Sequence, residues 1–276
     1  MARERLGLPV SKLRERRRRA ARILWVAAAA GVLILAGGVT ALFHLPAIQI
    51  REVAVAGLEP AVAEEVRAAV ERELSGSYLY LFPKRNIFIY PKRAVLSMLD
   101  AAFPKLHSVE VGFKRFDAIE VQAQLRNPAA LWCGVRQEEE AAAECFFVDE
   151  DGFVYAQAPQ FGGVVFVRYF GEISGGTPPG VSYLAQGEYR ALSALVSALG
   201  RDLQASPEVV EVEGQDVTVR FSEGYALYFG RRDEHAAVLA RLALALSSDP
   251  LANADREMLS YIDLRFGNRV FYKFKE

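Results

Sequence analysis

The chain has 276 residues, of which 52% are hydrophobic and 24% are charged, with a formal net charge of −1. A length and composition of this kind argue against a single compact globule and allow two small folded domains plus an anchor. The charge is unevenly divided, because residues 1–22 hold nine Lys or Arg against two Glu, a net charge of +7, which leaves −8 on the remainder.

An uncharged segment follows the basic tail. No residue from Ile23 to Phe43 is charged, and a helix of that length, at about 1.5 Å per residue, covers roughly the 30 Å hydrocarbon core of a bilayer. We therefore predict a cytoplasmic basic tail at 1–22 and a transmembrane helix at 23–45. Because arginines beside a span stay in the cytoplasm, everything after Leu45 is expected on the other side of the lipid bilayer.

Three other interpretations of this region are open. A cleaved signal peptide could use Val39-Thr40-Ala41 as its cleavage site, although secretory apolar regions usually run for about 7 to 15 residues. A buried soluble helix would carry a polar stripe, and this segment has none. The arginines could bind nucleic acid, but beside a span they are more typical of topology signals or of contacts with lipid headgroups, so no nucleic-acid partner is expected.

Residues 46–127 predict a domain with the element order β-α-α-β-β. Alternation of apolar residues indicates the strands, and apolar residues at helical spacing indicate the helices. The predicted elements are a strand at Ile50–Ala56, a helix from Pro60 to Leu74, a second helix from about Pro91 to Phe103, and strands at Val109–Phe113 and Ile119–Leu125.

Residues 128–276 predict a mainly β domain with two helices. The predicted strands are Ala130–Val135, Cys145–Asp149, Phe153–Ala156, Val164–Tyr169, Val209–Glu213, Val217–Phe221, Tyr225–Phe229, Tyr261–Phe266 and Arg269–Phe274, with helices at Gly187–Leu203 and around Val238–Leu246. The last two strands flank Gly267-Asn268, a two-residue turn whose glycine takes a positive φ without steric cost. They therefore form a hairpin, and the whole chain is predicted to be α+β.

Residues that could perform catalysis or bind a metal are sparse. The three histidines, His44, His107 and His235, lack metal-ligand spacing, and the sequence contains no Gly-x-Ser-x-Gly, Walker loop or His-Glu-x-x-His. The acidic run at 149–151 before Gly152 fits a hairpin turn better than a calcium loop, which needs further ligands. We therefore expect neither an enzyme nor a cofactor or metal site.

Cys133 and Cys145 are the only cysteines, and both fall in the part expected outside the cytoplasm. They lie near the ends of adjacent predicted strands, which are joined by an acidic loop that includes Glu138, Glu139 and Glu140. A disulfide across this hairpin is one interpretation, because such bonds persist in an oxidising compartment. Two small buried free thiols are the other.

Four short phrases, in their order and spacing behind one anchor, resemble a known family. They are V-A-V-A-G at Val53–Gly57, N-P-A-A-L-W at Asn127–Trp132, V-D-E-D-G at Val148–Gly152 and I-D-L-R-F at Ile262–Phe266. On these phrases and on the element order, nearly the whole chain is similar to the bacterial cell-division proteins FtsQ and DivIB. The resemblance implies a POTRA domain at 46–127 and an FtsQ-type β-domain at 128–276.

The resemblance further implies a non-catalytic scaffold of the divisome in the inner membrane at the division septum. Its β-domain would bind FtsB/DivIC-like and FtsL-like single-span coiled-coil proteins, and its POTRA domain would bind other division proteins, so that early and late division proteins are linked. The partner would dock on the last strands, and the matching positions are Arg265, Phe266, Val270, Phe271, Tyr272, Lys273 and Phe274. A terminal strand with unpaired backbone groups favours strand addition on physical grounds as well.

Other functions stay open. The hairpin could simply complete its sheet, with its aromatic side chains in the core, and both roles are compatible if alternate residues face opposite sides. A membrane-anchored cell-wall hydrolase or transferase would need an activated nucleophile or an acid and base in a cleft, which the sequence does not show. A POTRA-bearing factor of the outer membrane would continue into a many-stranded barrel, for which this chain is too short. Inner-membrane adaptors of other kinds remain possible.

Overall fold

The computed structural model describes residues 10–136, 144–173 and 175–275, with side chains from residue 16 onward. Two parts of the prediction lie outside these ranges: residues 1–9 of the basic tail, and Glu138, Glu139 and Glu140 of the predicted acidic loop. The chain is α+β, with one long apolar helix first and a largely β region after it, which confirms that part of the prediction. It forms two compact units, divided in sequence between Ala123 and Gln124, with Asp100–His107 belonging to the second unit.

The first helix, α1, spans Val10–Phe43 and is largely exposed over its described side chains. Its stretch Arg16–Phe43, 28 residues long, has the length and apolar composition needed to cross a membrane. At about 1.5 Å per residue this stretch measures roughly 42 Å, more than the hydrocarbon core of a bilayer. The helix begins well before the predicted start at residue 23, because arginine has a high helix propensity and a change in charge does not interrupt backbone hydrogen bonding. It ends two residues before the predicted end at residue 45.

The first unit continues with a small sheet and two helices. Its elements are β1 (Glu52–Ala56), α2 (Pro60–Glu73), β2 (Ser77–Tyr78), β3 (Phe82–Pro83), α3 (Lys92–Ala102), β4 (Leu106–Arg115) and β5 (Ala118–Leu125). Within the described ranges these strands form a three-stranded sheet in the order β1-β5-β4, with β1 parallel to β5, and a separate hairpin of β2 and β3. Apart from that hairpin, which the sequence did not predict, the element order is the predicted β-α-α-β-β.

The core of the first unit comes from the apolar faces of its two helices. Val66 and Val70 of α2 and Val95 and Leu99 of α3 are fully buried, as is Val121 of β5. The spacing of these residues along α2 and α3 is that of one face of a helix. The helical periodicity read from the sequence therefore identified the buried faces correctly.

A glycine at the end of β1 provides a test of this packing. Gly57 has φ of +86°, and a Cβ atom there would lie 2.2 Å from the backbone oxygen of Ala123. Gly76 has almost the same φ, +87°, but a Cβ atom there would meet nothing within 4 Å. We expect Gly57→Ala to lower the free energy of unfolding by about 3 kcal/mol or more, because a backbone clash adds to the left-handed cost of about 1–2 kcal/mol. Gly76→Ala should lose only the cost of the left-handed conformation, because it meets no clash. Urea denaturation measures both, and equal losses would contradict the prediction.

Among the described residues, the second unit is built on one ten-stranded sheet. Its elements are β6 (Ala130–Trp132), β7 (Phe146–Val148), β8 (Phe153–Gln157), β9 (Arg168–Phe170), β10 (Val181–Ser182), α4 (Gln186–Leu203), β11 (Pro207–Glu213), β12 (Asp216–Phe221), β13 (Ala226–Gly230), α5 (His235–Leu246), β14 (Leu259–Phe266) and β15 (Arg269–Phe274). The strand order is β10-β8-β7-β6-β9-β11-β12-β13-β14-β15.

The two helices predicted for the second unit are present and serve as crossover connections. β9 pairs in parallel with β11, and β13 pairs in parallel with β14. A parallel pair cannot be closed by a tight turn. The chain therefore passes from β9 to β11 by way of α4, and from β13 to β14 by way of α5. Leu199 of α4 and Val238 of α5 share one buried core with Val219, Ile262 and Leu264 of the sheet.

Two predicted strands keep half or less of their predicted residues in the structure. The strand expected at Val164–Tyr169 is confined to Arg168–Phe170, because Val164 and Val165 stay exposed in a loop that follows two glycines. The strand expected at Ala130–Val135 ends at Trp132, since Gly134 takes a φ of +81°. At Gly134 the positive φ breaks the extended backbone that the apolar residues alone would favour.

Candidate docking site on the terminal strand

The terminal hairpin carries all seven residues predicted to bind a partner. β14 and β15 are antiparallel and joined at Gly267-Asn268, where Gly267 has a φ of +63°. The register shifts twice, and both times the extra residue is in β14, so β15 itself stays regular. β15 stands last in the strand order, and within the described part of the chain only β14 pairs with it. Its outer side is therefore an open edge of the kind to which another strand can add.

The direction of the backbone N–H groups of β15 follows from one hydrogen bond. Lys275 donates its backbone N–H to the oxygen of Met258 at 2.7 Å, which points inward, toward the β14 side. Successive residues of a strand direct their N–H and C=O groups alternately to either side. The N–H groups of Val270, Tyr272 and Phe274 therefore point outward, toward the open edge.

The side chains of β15 divide between the core and the surface. Val270 and Phe274 are half-buried and pack against the main core, which is the sheet-completing role left open by the sequence. Tyr272 lies between them in the alternation and is 39% exposed, with its ring 5.7 Å from that of Phe274. Phe271, on the opposite face, is 47% exposed. β15 thus completes the sheet and still presents two aromatic rings to solvent.

Beside the open edge lies a group of residues that we call the aromatic patch: Tyr228, Tyr261, Arg265, Phe266 and Phe271. The rings of Tyr228 and Tyr261 are 5.9 Å apart, and those of Phe266 and Phe271 are 5.1 Å apart, both edge to face. The guanidinium of Arg265 stands 5.2 Å from the ring centre of Tyr228 and 5.8 Å from that of Phe266. Arg265 therefore connects the two ring pairs by cation–π contacts.

Two carboxylates hold Arg265 in place. Its Nη2 atom lies 2.6 Å from Oδ2 of Asp263, and its Nη1 atom lies 2.7 Å from Oδ2 of Asp216. Burial alone would raise the pKa of Asp263, but the hydrogen bonds and positive charge of Arg265 outweigh that effect and lower this pKa. The hydrogen bond that Arg265 donates to Asp263 in turn raises the pKa of Arg265. Arg265, predicted as a contact residue, is thus firmly tied to its own sheet and supports the rings around it.

The lowered pKa of Asp263 makes the stability of this region depend on pH. A carboxylate with a lowered pKa in the folded state stabilises the fold above its unfolded pKa, about 3.9, and this stabilisation is lost as pH falls through the folded pKa. We expect the free energy of unfolding of the wild type to fall more between about pH 6 and about pH 2 than that of Asp263→Asn. Urea denaturation at the two pH values measures this difference. The same fall in both proteins would show that Asp263 makes no such contribution.

The two cysteines form a disulfide. Cys133 follows β6 and Cys145 precedes β7, and their sulfur atoms are bonded across a sequence separation of 12. The bond closes a loop whose residues 137–143 lie outside the described ranges. Closing a loop of this size restricts the unfolded chain and stabilises the fold by about 3 kcal/mol in the chain-entropy account. Of the two interpretations given by the sequence, the structure has the bonded pair.

Sequence reasoning did not assign four residues of this site: Tyr261 and Asp263 on β14, and Tyr228 and Asp216 on other strands. Tyr228 and Asp216 lie on β13 and β12 and come close to Arg265 because β13 pairs in parallel with β14, with Tyr228 opposite Asp263. The alternation within Tyr225–Phe229 was a usable signal, since it placed Tyr228 on the face opposite its buried neighbours. It gave no information on which strand would lie beside it.

The acidic run at 149–151 forms a turn, as the sequence favoured. Oδ1 of Asp149 accepts hydrogen bonds from the N–H groups of Asp151 and Phe153, both at 2.9 Å, and Oδ2 pairs with Arg126. These bonds close the hairpin between β7 and β8. Over the residues that the structure describes, no group of three or more His, Cys, Asp or Glu is placed to hold a metal ion.

The chain matches no protein-family model and no curated protein in sequence. Its function is therefore inferred from the terminal hairpin, the long apolar helix and the sequence phrases described above.

Proposed function

We propose that the protein is a non-catalytic, single-pass scaffold of the bacterial cell-division machinery, with its N-terminus in the cytoplasm and its two units outside. Its terminal hairpin takes up a strand from a small single-span coiled-coil protein of the FtsB/DivIC or FtsL type. The observation that carries this proposal is the open outer side of β15 beside the aromatic patch.

The open edge and the patch supply complementary contributions to binding. An added strand would accept hydrogen bonds from the outward N–H groups of Val270, Tyr272 and Phe274, which provide affinity without regard to sequence. The exposed rings of Phe271 and Tyr272 would provide anchors, because aromatic residues dominate the binding energy of many interfaces. Because Arg265 is held by two carboxylates, the patch is already arranged before the partner arrives, which reduces the entropy lost on binding.

The long apolar helix supports the membrane location. The apolar part of α1 follows a run of arginines, among them Arg16, Arg17, Arg18 and Arg19. Positive residues next to a span are retained on the cytoplasmic side, so the two units would lie outside the cytoplasm. The disulfide between Cys133 and Cys145 is consistent with that side, because such bonds persist in oxidising compartments.

The sequence phrases of the proposed family fall at structurally demanding positions. V-A-V-A-G ends in Gly57, where the backbone of Ala123 approaches too closely for a side chain. V-D-E-D-G forms the turn organised by Asp149. I-D-L-R-F carries Arg265 and its carboxylate partner Asp263. These placements support the resemblance to FtsQ and DivIB, and with it a POTRA assignment for the first unit, through which other division proteins would bind.

Site-specific photocrosslinking in living cells tests the proposal. Phe271→benzoylphenylalanine places a crosslinker on the exposed face of β15, and Leu244→benzoylphenylalanine places one on the exposed side of α5 as a control. We expect the first variant to crosslink to a single-span protein with a heptad repeat, identified by mass spectrometry as a division protein. The second should give no such product, because it lies on a helix, which offers no unpaired strand edge.

Two outcomes would count against the proposal. No crosslink at position 271 in dividing cells would mean that β15 has no partner, and equal crosslinking at 271 and 244 would mean that the contact is not specific. A fluorescent fusion that spreads evenly around the cell membrane, rather than concentrating at the septum, would contradict the role in division even if a partner is found.

A further inference from the structure

The hairpin of β2 and β3 exposes apolar side chains at its tip. Leu79 is 83% exposed and Tyr80 is 97% exposed. Both have left-handed backbone conformations, with φ of +49° and +59°. Each such residue costs roughly 1–2 kcal/mol, and exposing these side chains to water brings no gain from burial. In water, the left-handed conformations of Leu79 and Tyr80 are therefore not offset by any burial of their side chains.

This hairpin is tied to the end of the apolar helix. The ring of Phe82 in β3 lies 5.2 Å from that of Phe43, the last residue of α1, at an angle of 82°. The amide of Asn86, which is fully buried, donates to the backbone oxygen of Phe43 at 3.0 Å, and the amide of Gln49 donates to the same oxygen at 2.6 Å. Only Leu81 lies between Tyr80 and Phe82, so their Cα atoms are at most about 7 Å apart.

The chemistry of this region matches that of a membrane interface. Tyrosine is enriched at the headgroup level, where its ring meets apolar chains and its hydroxyl meets water, and Tyr78 and Tyr80 are both exposed. Lys84 and Arg85 follow directly in sequence, and basic residues at this level attract anionic headgroups. Lys84 pairs with Glu73 at 3.5 Å. Arg85 has no carboxylate within pairing distance among the described residues.

We propose that the tip of this hairpin, Leu79–Leu81, inserts into the outer interface of the membrane that α1 crosses, and so fixes the first unit against the bilayer. The proposal rests on the membrane anchoring by α1 proposed above. We assign the tip to the lipid surface rather than to a protein, because Phe82, at the base of the tip, packs against the last residue of the apolar helix. Phe88, in the connection between β3 and α3, is also exposed.

The other end of α2 provides a matched reference position. α2 has 14 residues and measures about 20 Å, and its last residue, Glu73, lies beside the hairpin through its pairing with Lys84. Ala61, in the first turn of α2, is exposed and stands about 20 Å along the helix from that end. A probe at position 61 is therefore expected to remain in water.

Fluorescence quenching from the lipid tests the proposal with the full-length protein. The sequence has two cysteines and they form the disulfide, so an introduced cysteine is the one free thiol to label. Tyr80→Cys, Leu79→Cys, Ala61→Cys and Leu33→Cys are each labelled with nitrobenzoxadiazole and reconstituted into vesicles of phosphatidylcholine and phosphatidylglycerol. Phosphatidylcholine with a nitroxide near the headgroup end of its acyl chain serves as the quencher.

We expect quenching at positions 79 and 80 to be several-fold greater than at position 61, with emission shifted to shorter wavelength. Quenching at 79 and 80 no greater than at 61 would overturn the proposal. Leu33 lies in the middle of the apolar stretch of α1, so its label reports on the anchor separately. One outcome is that the label at position 33 emits at the shorter wavelength of an apolar environment while the labels at 79 and 80 behave like the label at 61. That result would support the membrane anchoring by α1 and contradict the hairpin contact.

Discussion

Tyr272→Pro should reduce partner capture at least tenfold while leaving the protein folded. The N–H of Tyr272 points to the open edge, so proline at this position removes no hydrogen bond to β14. Proline is tolerated on edge strands with this orientation, but its ring blocks the approach of an added strand and removes a donor. A tenfold loss corresponds to about 1.4 kcal/mol, near the net contribution of one hydrogen bond. Recovery of the crosslinked or co-purified division protein measures the effect.

Two further variants separate the backbone from the side chain. Tyr272→Ala keeps the N–H and removes the ring, so any capture that it loses belongs to the ring. Lys273→Pro removes an N–H that points toward β14, so it should lower the midpoint of thermal unfolding, which Tyr272→Pro should leave nearly unchanged. A folded Tyr272→Pro protein that captures as much partner as the wild type would show that the partner does not add to β15.

Arg126→Ala is expected to lower the free energy of unfolding by about 3–5 kcal/mol, because it leaves a buried carboxylate without its cation. The side chain of Arg126 is 16% exposed and pairs with that of Asp149, which is 8% exposed. Its guanidinium also lies 4.2 Å from the ring centre of Phe153 and donates to the oxygen of Pro104 at 3.1 Å. Urea denaturation followed by circular dichroism measures the loss.

Arg190→Ala is the matched control for this prediction. Arg190 pairs with Asp151 in the same turn at 2.5 Å, but its side chain is 60% exposed. Exposed ion pairs contribute about 0–1 kcal/mol, because water and salt screen them. The two variants remove the same residue type from neighbouring ion pairs, so burial is the main difference between them. Losses of similar size would contradict the view that the pair of Arg126 and Asp149 is a buried structural element.

The sequence was sufficient for features that depend on local patterns. The charge-free stretch from Ile23 to Phe43 predicted a long apolar helix, and the spacing of Val66 and Val70 predicted the buried face of α2. Gly267-Asn268 predicted the terminal hairpin, which is closed by that two-residue turn. Such features are determined by residues within one or two turns of each other, so no knowledge of the tertiary structure is needed.

Features set by distant residues could not be predicted in the same way. The strand order depends on parallel pairs, and no local signal specifies that β13 lies beside β14 across the intervening α5. For this reason the prediction named Arg265, Phe271 and Tyr272 but not Tyr228, which contacts Arg265. The hairpin of β2 and β3 was not predicted because each of its strands has two residues, too few for an alternating pattern.

An open strand edge with exposed rings is also a risk, since it could pair with the same edge of another copy and lead to aggregation. The composition of β15 opposes this outcome: Arg269 and Lys273 are its charged residues, and neither is acidic. Two copies joined edge to edge would bring four positive charges into one short ladder, and like charges across a ladder are destabilising. The two bulges in β14 add local twist, which further discourages flat stacking. The same cations would favour an added strand that carries aspartate or glutamate over a second copy of β15.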